Sequence, residues 1–228
     1  MNLKNKGWRT ILKWIATSVL GVLFLVFFLR VVIWENDYYA RMEGSERAVP
    51  AETEAAEEEL IEVEPTEQEV VEYTVAPDRP RYLTIEKLGL YNKRIIAVGV
   101  TANQQMGTPS NIFDVGWYDG SGKPGQGGTM MLDGHNGGPT KYGVFKELPK
   151  LVAGDIIQVE RGDGLIYKYA VVDNVTLSLE DSDKYMNTAA ASPEAGKESV
   201  TLISCTGEWS VQQKTYLARQ FVRAVLVQ

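Results

Sequence analysis

Ser199-Val200-Thr201-Leu202-Ile203-Ser204-Cys205-Thr206-Gly207 is the stretch that decides the fold. Its β-branched and apolar residues favour an extended strand, which runs into the chain's only cysteine and stops at a turn-forming glycine. Outward from it, the same signature recurs between Gly-, Pro- and Asn-rich turns. Leu83 and Ile85 alternate with Thr84 and Glu86, and further strands are expected over 95–100, 112–118, 129–133, 155–160, 165–177, 199–204 and 216–227. About eight strands suffice to close a small barrel and leave few open edges. The fold class is therefore mostly β, an eight-stranded barrel with short helices. The one helix expected inside it covers 183–191, with Ser182 or Asp181 as N-cap. No internal repeat is present.

The chain holds one histidine as well as one cysteine. Each ends an apolar strand and is followed at once by turn residues: His135 follows Thr129–Gly134 and precedes Asn136-Gly137-Gly138-Pro139. Strand ends on a rigid sheet hold reacting groups in place and leave them accessible. A structural cysteine more often lies mid-strand, so Cys205 and His135 form a candidate nucleophile–base pair. Acyl transfer also needs a donor for the oxyanion. Arg219 and Arg223 both lie in the last strand and, by period two, on the same face. About 13 Å of strand separates them, so only one can serve the same atom. Spacing alone does not choose. A hairpin of the last two strands favours Arg219 as the neighbour of Cys205 and leaves Arg223 as a solvated surface charge. Asp133 shares a face with His135 and is a candidate to orient the imidazole. Trp117, Thr206 and Trp209 are candidates to line a peptide groove, with core packing the competing reading for the tryptophans. Tyr185 and Met186 read as packing.

The 228 residues carry a net charge of −7, unevenly spread. No basic patch stands out beyond the extreme N-terminus, which argues against nucleic-acid binding. One cysteine excludes an intramolecular disulfide, and one Cys with one His is too few for a structural zinc site. Residues 1–13 form a basic tail, and 14–34 are apolar apart from Arg30. About 20 apolar residues match a hydrocarbon core of about 30 Å. Lys4, Lys6, Arg9 and Lys13 precede this run and Glu35 and Asp37 follow it, so the expected topology is a single-pass anchor with a cytoplasmic N-terminus and an extracytoplasmic domain. A cleaved signal peptide is the competing reading, but no small-x-small site follows the run. Residues 35–80 are expected to be a disordered acidic linker, helical at most around 53–62, because ten glutamates between Glu52 and Glu72 meet almost no basic residue. The folded domain is then 81–228.

Thr201-Leu202-Ile203-Ser204-Cys205 resembles the Thr-Leu-x-Thr-Cys signature of sortases, with Ser204 in place of the usual residue before the cysteine. Leu132-Asp133-Gly134-His135 resembles the family's histidine strand, which usually has a small residue where Asp133 stands. Arg219-Gln220-Phe221-Val222-Arg223 resembles its final strand, whose first arginine is catalytic. Val115-Gly116-Trp117-Tyr118 and Lys123-Pro124-Gly125 are similar to actinobacterial-type members, classes D, E and F. The resemblance covers residues 80–228.

The resemblance implies a cysteine transpeptidase with a sortase-like barrel and no metal or organic cofactor. Cys205 attacks a Leu-Pro-x-Thr-Gly-like sorting signal of an exported protein, and His135 protonates the leaving amine and later deprotonates the incoming one. Arg219 serves the oxyanion or the substrate backbone, and a peptidoglycan-precursor or pilin amine resolves the thioester. An L,D-transpeptidase-like acyl-transferase is the nearest rival, but that family has Gly directly before its cysteine, where Ser204 stands. The rival from another class is an inactive tethered binding module.

Overall fold

The computed structural model describes residues 60–101 and 106–228. Eight strands appear: β1 (Pro80–Ile85), β2 (Leu90–Val98), β3 (Val115–Tyr118), β4 (Thr129–Gly134), β5 (Ile156–Arg161), β6 (Ile166–Ser178), β7 (Ser199–Ser210) and β8 (Thr215–Leu226). They close into a barrel in the order β1-β2-β3-β4-β7-β8-β6-β5. Alternation explains why these segments are strands. Leu83 and Ile85 of β1, Met130 and Leu132 of β4, Val200 and Leu202 of β7, and Val222 and Ala224 of β8 all point into one interior cluster. Phe145, Leu148 and Leu151, from the connection after β4, also join it.

The intervening residues point outward. On β4, β7 and β8 they include Met131, Ile203 and Phe221, which form a second buried cluster with Ala189. The cover over this outer face is a helix, α2 (Leu179–Ala189), in the crossover between β6 and β7. It starts four residues earlier than the sequence suggests. Ser178 is the N-cap, accepting from Asp181 N, while Ser182 is buried and donates to Leu179 O.

Two sequence expectations need correction. Residues 60–80, assigned to a disordered linker, lie along the barrel. A short helix, α1 (Glu67–Glu72), begins with a capping box between Thr66 and Glu69, whereas no helix covers residues 60–62. Its C-cap residue Tyr73 donates to Ile95 O of β2, and Tyr82 donates to Val70 O. The acids here do not act as one self-repelling block, because each of three has its own partner: Glu62 at Thr140 and Lys141, Glu64 at Lys93, and Glu69 at Thr66. Residues 35–59 of the expected linker, and the apolar 14–34 run, lie outside the described residues. Among the described residues no helix is long and apolar enough to cross a membrane.

The second correction concerns Arg223. Period two puts it on the outer face, as expected, but α2 and its exit loop cover that face. Arg223 is 8% exposed; it donates to Ala191 O and to Tyr185 Oη and sits 3.6 Å from the Asp173 carboxylate. It ties β8 to the segment above it and is not a solvated surface charge.

Candidate active site

β7 and β8 form the expected antiparallel hairpin, and its register sets Cys205 directly opposite Arg219. β4 lies on the other side of β7 in parallel register, with Leu132 beside Leu202 and Asp133 beside Ile203. Two residues further along, His135 comes level with Cys205. A buried hydrogen bond of 2.8 Å from Ser204 Oγ to Gly134 O fastens the strands at that level. Three neighbouring strands thus bring His135, Cys205 and Arg219 to one level of the barrel, each half-buried. Because Met131 and Ile203 belong to the outer cluster, Asp133, His135 and Cys205 share that outer face by alternation.

His135 is held from two sides. Its Nε2 lies 2.8 Å from Pro109 O. A carbonyl only accepts, so Nε2 carries the hydrogen and Nδ1 is the nitrogen left for proton exchange. Its main-chain carbonyl accepts from Phe145 N at 2.9 Å, and Asn136 O accepts from Gly143 N at 2.9 Å. Gly143 packs so closely that a Cβ there would sit 2.3 Å from His135 O. Asp133 lies beside Thr108. The imidazole's hydrogen bond goes to Pro109, so Asp133 acts on the ring through its field alone.

Arg219 turns back on its own strand, donating from Nη1 to Tyr216 O (2.9 Å) and Ala218 O (3.0 Å), and from Nη2 to Thr215 Oγ1 (3.2 Å). These bonds leave its Nε–H and one Nη2 hydrogen for an oxygen of a substrate. Burial pushes the Cys205 thiol above its ordinary range; the Arg219 guanidinium opposes this and the Asp133 carboxylate adds to it. Burial likewise pushes the Asp133 carboxyl up, against the Thr108 hydroxyl and the charges of His135 and Arg219.

The other expected groove residues divide. Trp117 packs into the interior cluster at 1% exposure, donating from Nε1 to Gly122 O. Thr206 pairs with Ala218 beside the cysteine. Trp209 stands half-exposed, edge-on to Tyr216 at 5.2 Å, past a bulge in the hairpin. Ser204, Thr108, Pro109 and Gly143 are site residues that the sequence reading missed. Only Ser204 carried a signal, since its hydroxyl stands where the family pattern has threonine.

A thiol, an imidazole and a guanidinium on one level of a closed eight-stranded barrel define a cysteine acyl-transfer class of site. Residues 83–227 match the family model for the sortase domain, more than half of the chain. The chain belongs to the sortase family and is a cysteine transpeptidase. It is similar to solved structures of sortase C-1 from Actinomyces oris (24% identity over 68% of this chain and 76% of that one, TM-score 0.46). It is also similar to the SrtA sortase from Actinomyces oris (21%, 68% and 83%, 0.48) and to Streptococcus pneumoniae sortase C (20%, 68% and 71%, 0.48). A comparison with curated proteins gives no match.

Proposed function

We propose that Cys205 is the nucleophile, His135 the acid–base and Arg219 the oxyanion donor in transfer of a C-terminal sorting signal of the Leu-Pro-x-Thr-Gly kind. The observation that carries this reading is the level alignment of His135, directly after β4, with Cys205 on β7 and Arg219 on β8. The Cys205 thiolate attacks the Thr carbonyl carbon, and the carbonyl electrons move to an oxyanion that accepts from Arg219. Collapse breaks the Thr–Gly bond as the His135 imidazolium protonates the departing amine, leaving a thioester. An incoming amine then loses a proton to His135 and displaces the sulfur, forming a new amide and restoring the thiolate and the imidazolium.

A cleft of about 500 Å³ supports the choice of signal. Met131, Tyr118, Met106 and Met186 are among its lining residues. Met131 stands four residues before His135 on the same strand, about 13 Å away along it. In an extended peptide with its Thr carbonyl at Cys205, the Leu of the signal stands three residues upstream, about 10 Å away along the chain and near this cleft. The apolar lining suits that side chain.

The acceptor in this reading is an amine of a peptidoglycan precursor or of a pilin lysine. The chain acts from the outer face of the cell membrane, held by residues 14–34 with 1–13 in the cytoplasm; the charge asymmetry around that run supports this. The test is mass spectrometry of the full chain in detergent with a Leu-Pro-x-Thr-Gly peptide. An acyl adduct on Cys205 that an added amine converts to ligated peptide is the expected result. Ligated product from Cys205→Ala, or undiminished turnover by His135→Ala, refutes the assignment.

A further inference from the structure

The family match begins at residue 83, yet the segment before it is laced to the loops around His135. Ile61 N donates to Ser110 O at 2.9 Å, Ile112 N donates to Ile61 O at 3.1 Å, and Asn111 Nδ2 donates to Val63 O at 2.9 Å. This side of the segment therefore holds the residues directly after Pro109, whose carbonyl takes the His135 ring. The other side holds the loop that follows His135. The Glu62 carboxylate accepts from Thr140 N (2.9 Å), Thr140 Oγ1 (2.5 Å) and Lys141 N (3.0 Å), while Lys141 Nζ returns to Glu62 O (2.9 Å). Gly138 leaves the space for it: a Cβ there would meet Glu62 Oε1 at 2.4 Å. The same loop carries Gly143 and Phe145, which bond the main chain of Asn136 and His135.

We infer that Glu62 is a positioning residue for His135: it stitches the loop after the histidine to the strand of chain that also secures the histidine's carbonyl partner, Pro109. The inference rests on the acid–base role proposed above for His135. Both walls that fix the imidazole, one through its ring and one through its backbone, share residues 61–63 as a brace. The catalytic unit therefore extends beyond the family match on its N-terminal side, to residue 61 at least. The stitch works by hydrogen bonding. Both backbone N–H groups reach Oε1, and the Thr140 hydroxyl can accept as well as donate. A glutamine at 62 therefore reproduces all three contacts without the charge, whereas an alanine loses them.

His135 is the only histidine, so ring-15N histidine labelling of the full chain in detergent micelles yields the signals of this one imidazole. Wild type, Glu62→Ala and Glu62→Gln are compared in those spectra and in transpeptidation kinetics, with thermal melting to verify folding. In Glu62→Ala the hydrogen-bonded Nε2–H signal shifts or broadens, and kcat falls by about tenfold while KM changes by less than about twofold. Glu62→Gln restores most of the rate and the wild-type spectrum. Thr140→Val, isosteric and without the hydroxyl, gives a milder form of both changes and serves if Glu62→Ala unfolds. Ring signals and kcat unmoved in Glu62→Ala overturn the inference, and so does equal damage from Glu62→Gln. If the wild-type chain forms no acyl product, the proposed sorting reaction has failed, and the ring signals alone decide whether Glu62 positions His135.

Discussion

Cys205 and Arg219 face each other across the β7–β8 ladder, and the guanidinium is secured by carbonyls of its own strand, without an ion-pair carboxylate among the described residues. Its positive charge is thus left for the reaction. Arg223, four residues on, is tied to the segment above it by Ala191 O and Tyr185 Oη. The two arginines should respond oppositely to truncation. Arg219→Ala should lower kcat by about 10²–10³-fold and leave urea unfolding almost unchanged. Arg219→Lys should restore little, because an ammonium lacks the planar fork. Arg223→Ala should cost about 1–3 kcal/mol of stability and reduce turnover far less. Urea titration with peptide-transfer kinetics on the same preparations checks both.

The pH dependence of the thiol follows from the three effects on it. Burial holds the Cys205 thiol above its ordinary range, so the protonated form dominates at neutral pH and alkylation by iodoacetamide should keep accelerating into the alkaline range. Arg219 favours the thiolate, so Arg219→Ala should move the alkylation profile to still higher pH. The Asp133 carboxylate adds to the rise of the thiol, so Asp133→Asn should move the profile to lower pH. Two shifts of the same sign would contradict this account. The single cysteine makes the assay unambiguous.

The barrel was legible in the sequence because strand alternation is a local property: Leu83 and Ile85, or Met130 and Leu132, declare their face without reference to the rest of the chain. The pairing of Cys205 with Arg219 was legible for a similar reason, since a short hairpin sets its own register. What was missed depends on distant partners. Glu62 meets Thr140 and Lys141 78 and 79 residues away, and a count of glutamates averages that out. Arg223 was put on the correct face, but nothing local reveals that α2 covers it. The α2 start was missed because its cap, Ser178, is also the last residue of the strand-like run β6.

Ser204 provides a test of the β4–β7 fastening. Its hydroxyl, 1% exposed, donates to Gly134 O beside the histidine. Ser204→Ala removes this buried hydrogen bond, which should cost about 1 kcal/mol in urea unfolding. Activity should fall as well, because the bond sets the level of His135 against Cys205. Unchanged unfolding in Ser204→Ala would mean that water or a backbone shift replaces the bond.

Gly143 tests whether the backbone of His135 must stay where it is. A Cβ at 143 would stand 2.3 Å from His135 O and 2.8 Å from His135 Cβ, and neither is the tip of a flexible chain. Gly143→Ala must therefore push the loop or the histidine aside, disturbing the adjacent bonds from Gly143 N to Asn136 O and from Phe145 N to His135 O. Cys205 stands on another strand and does not depend on this contact. The expected result is a split: turnover falls by on the order of 10²-fold, while Cys205 alkylation by a small neutral reagent stays near the wild-type rate. Loss of both would indicate general unfolding, which near-UV circular dichroism would reveal. Full turnover in a folded Gly143→Ala protein would show that the reaction tolerates a displaced histidine and would remove the basis for holding it from two sides.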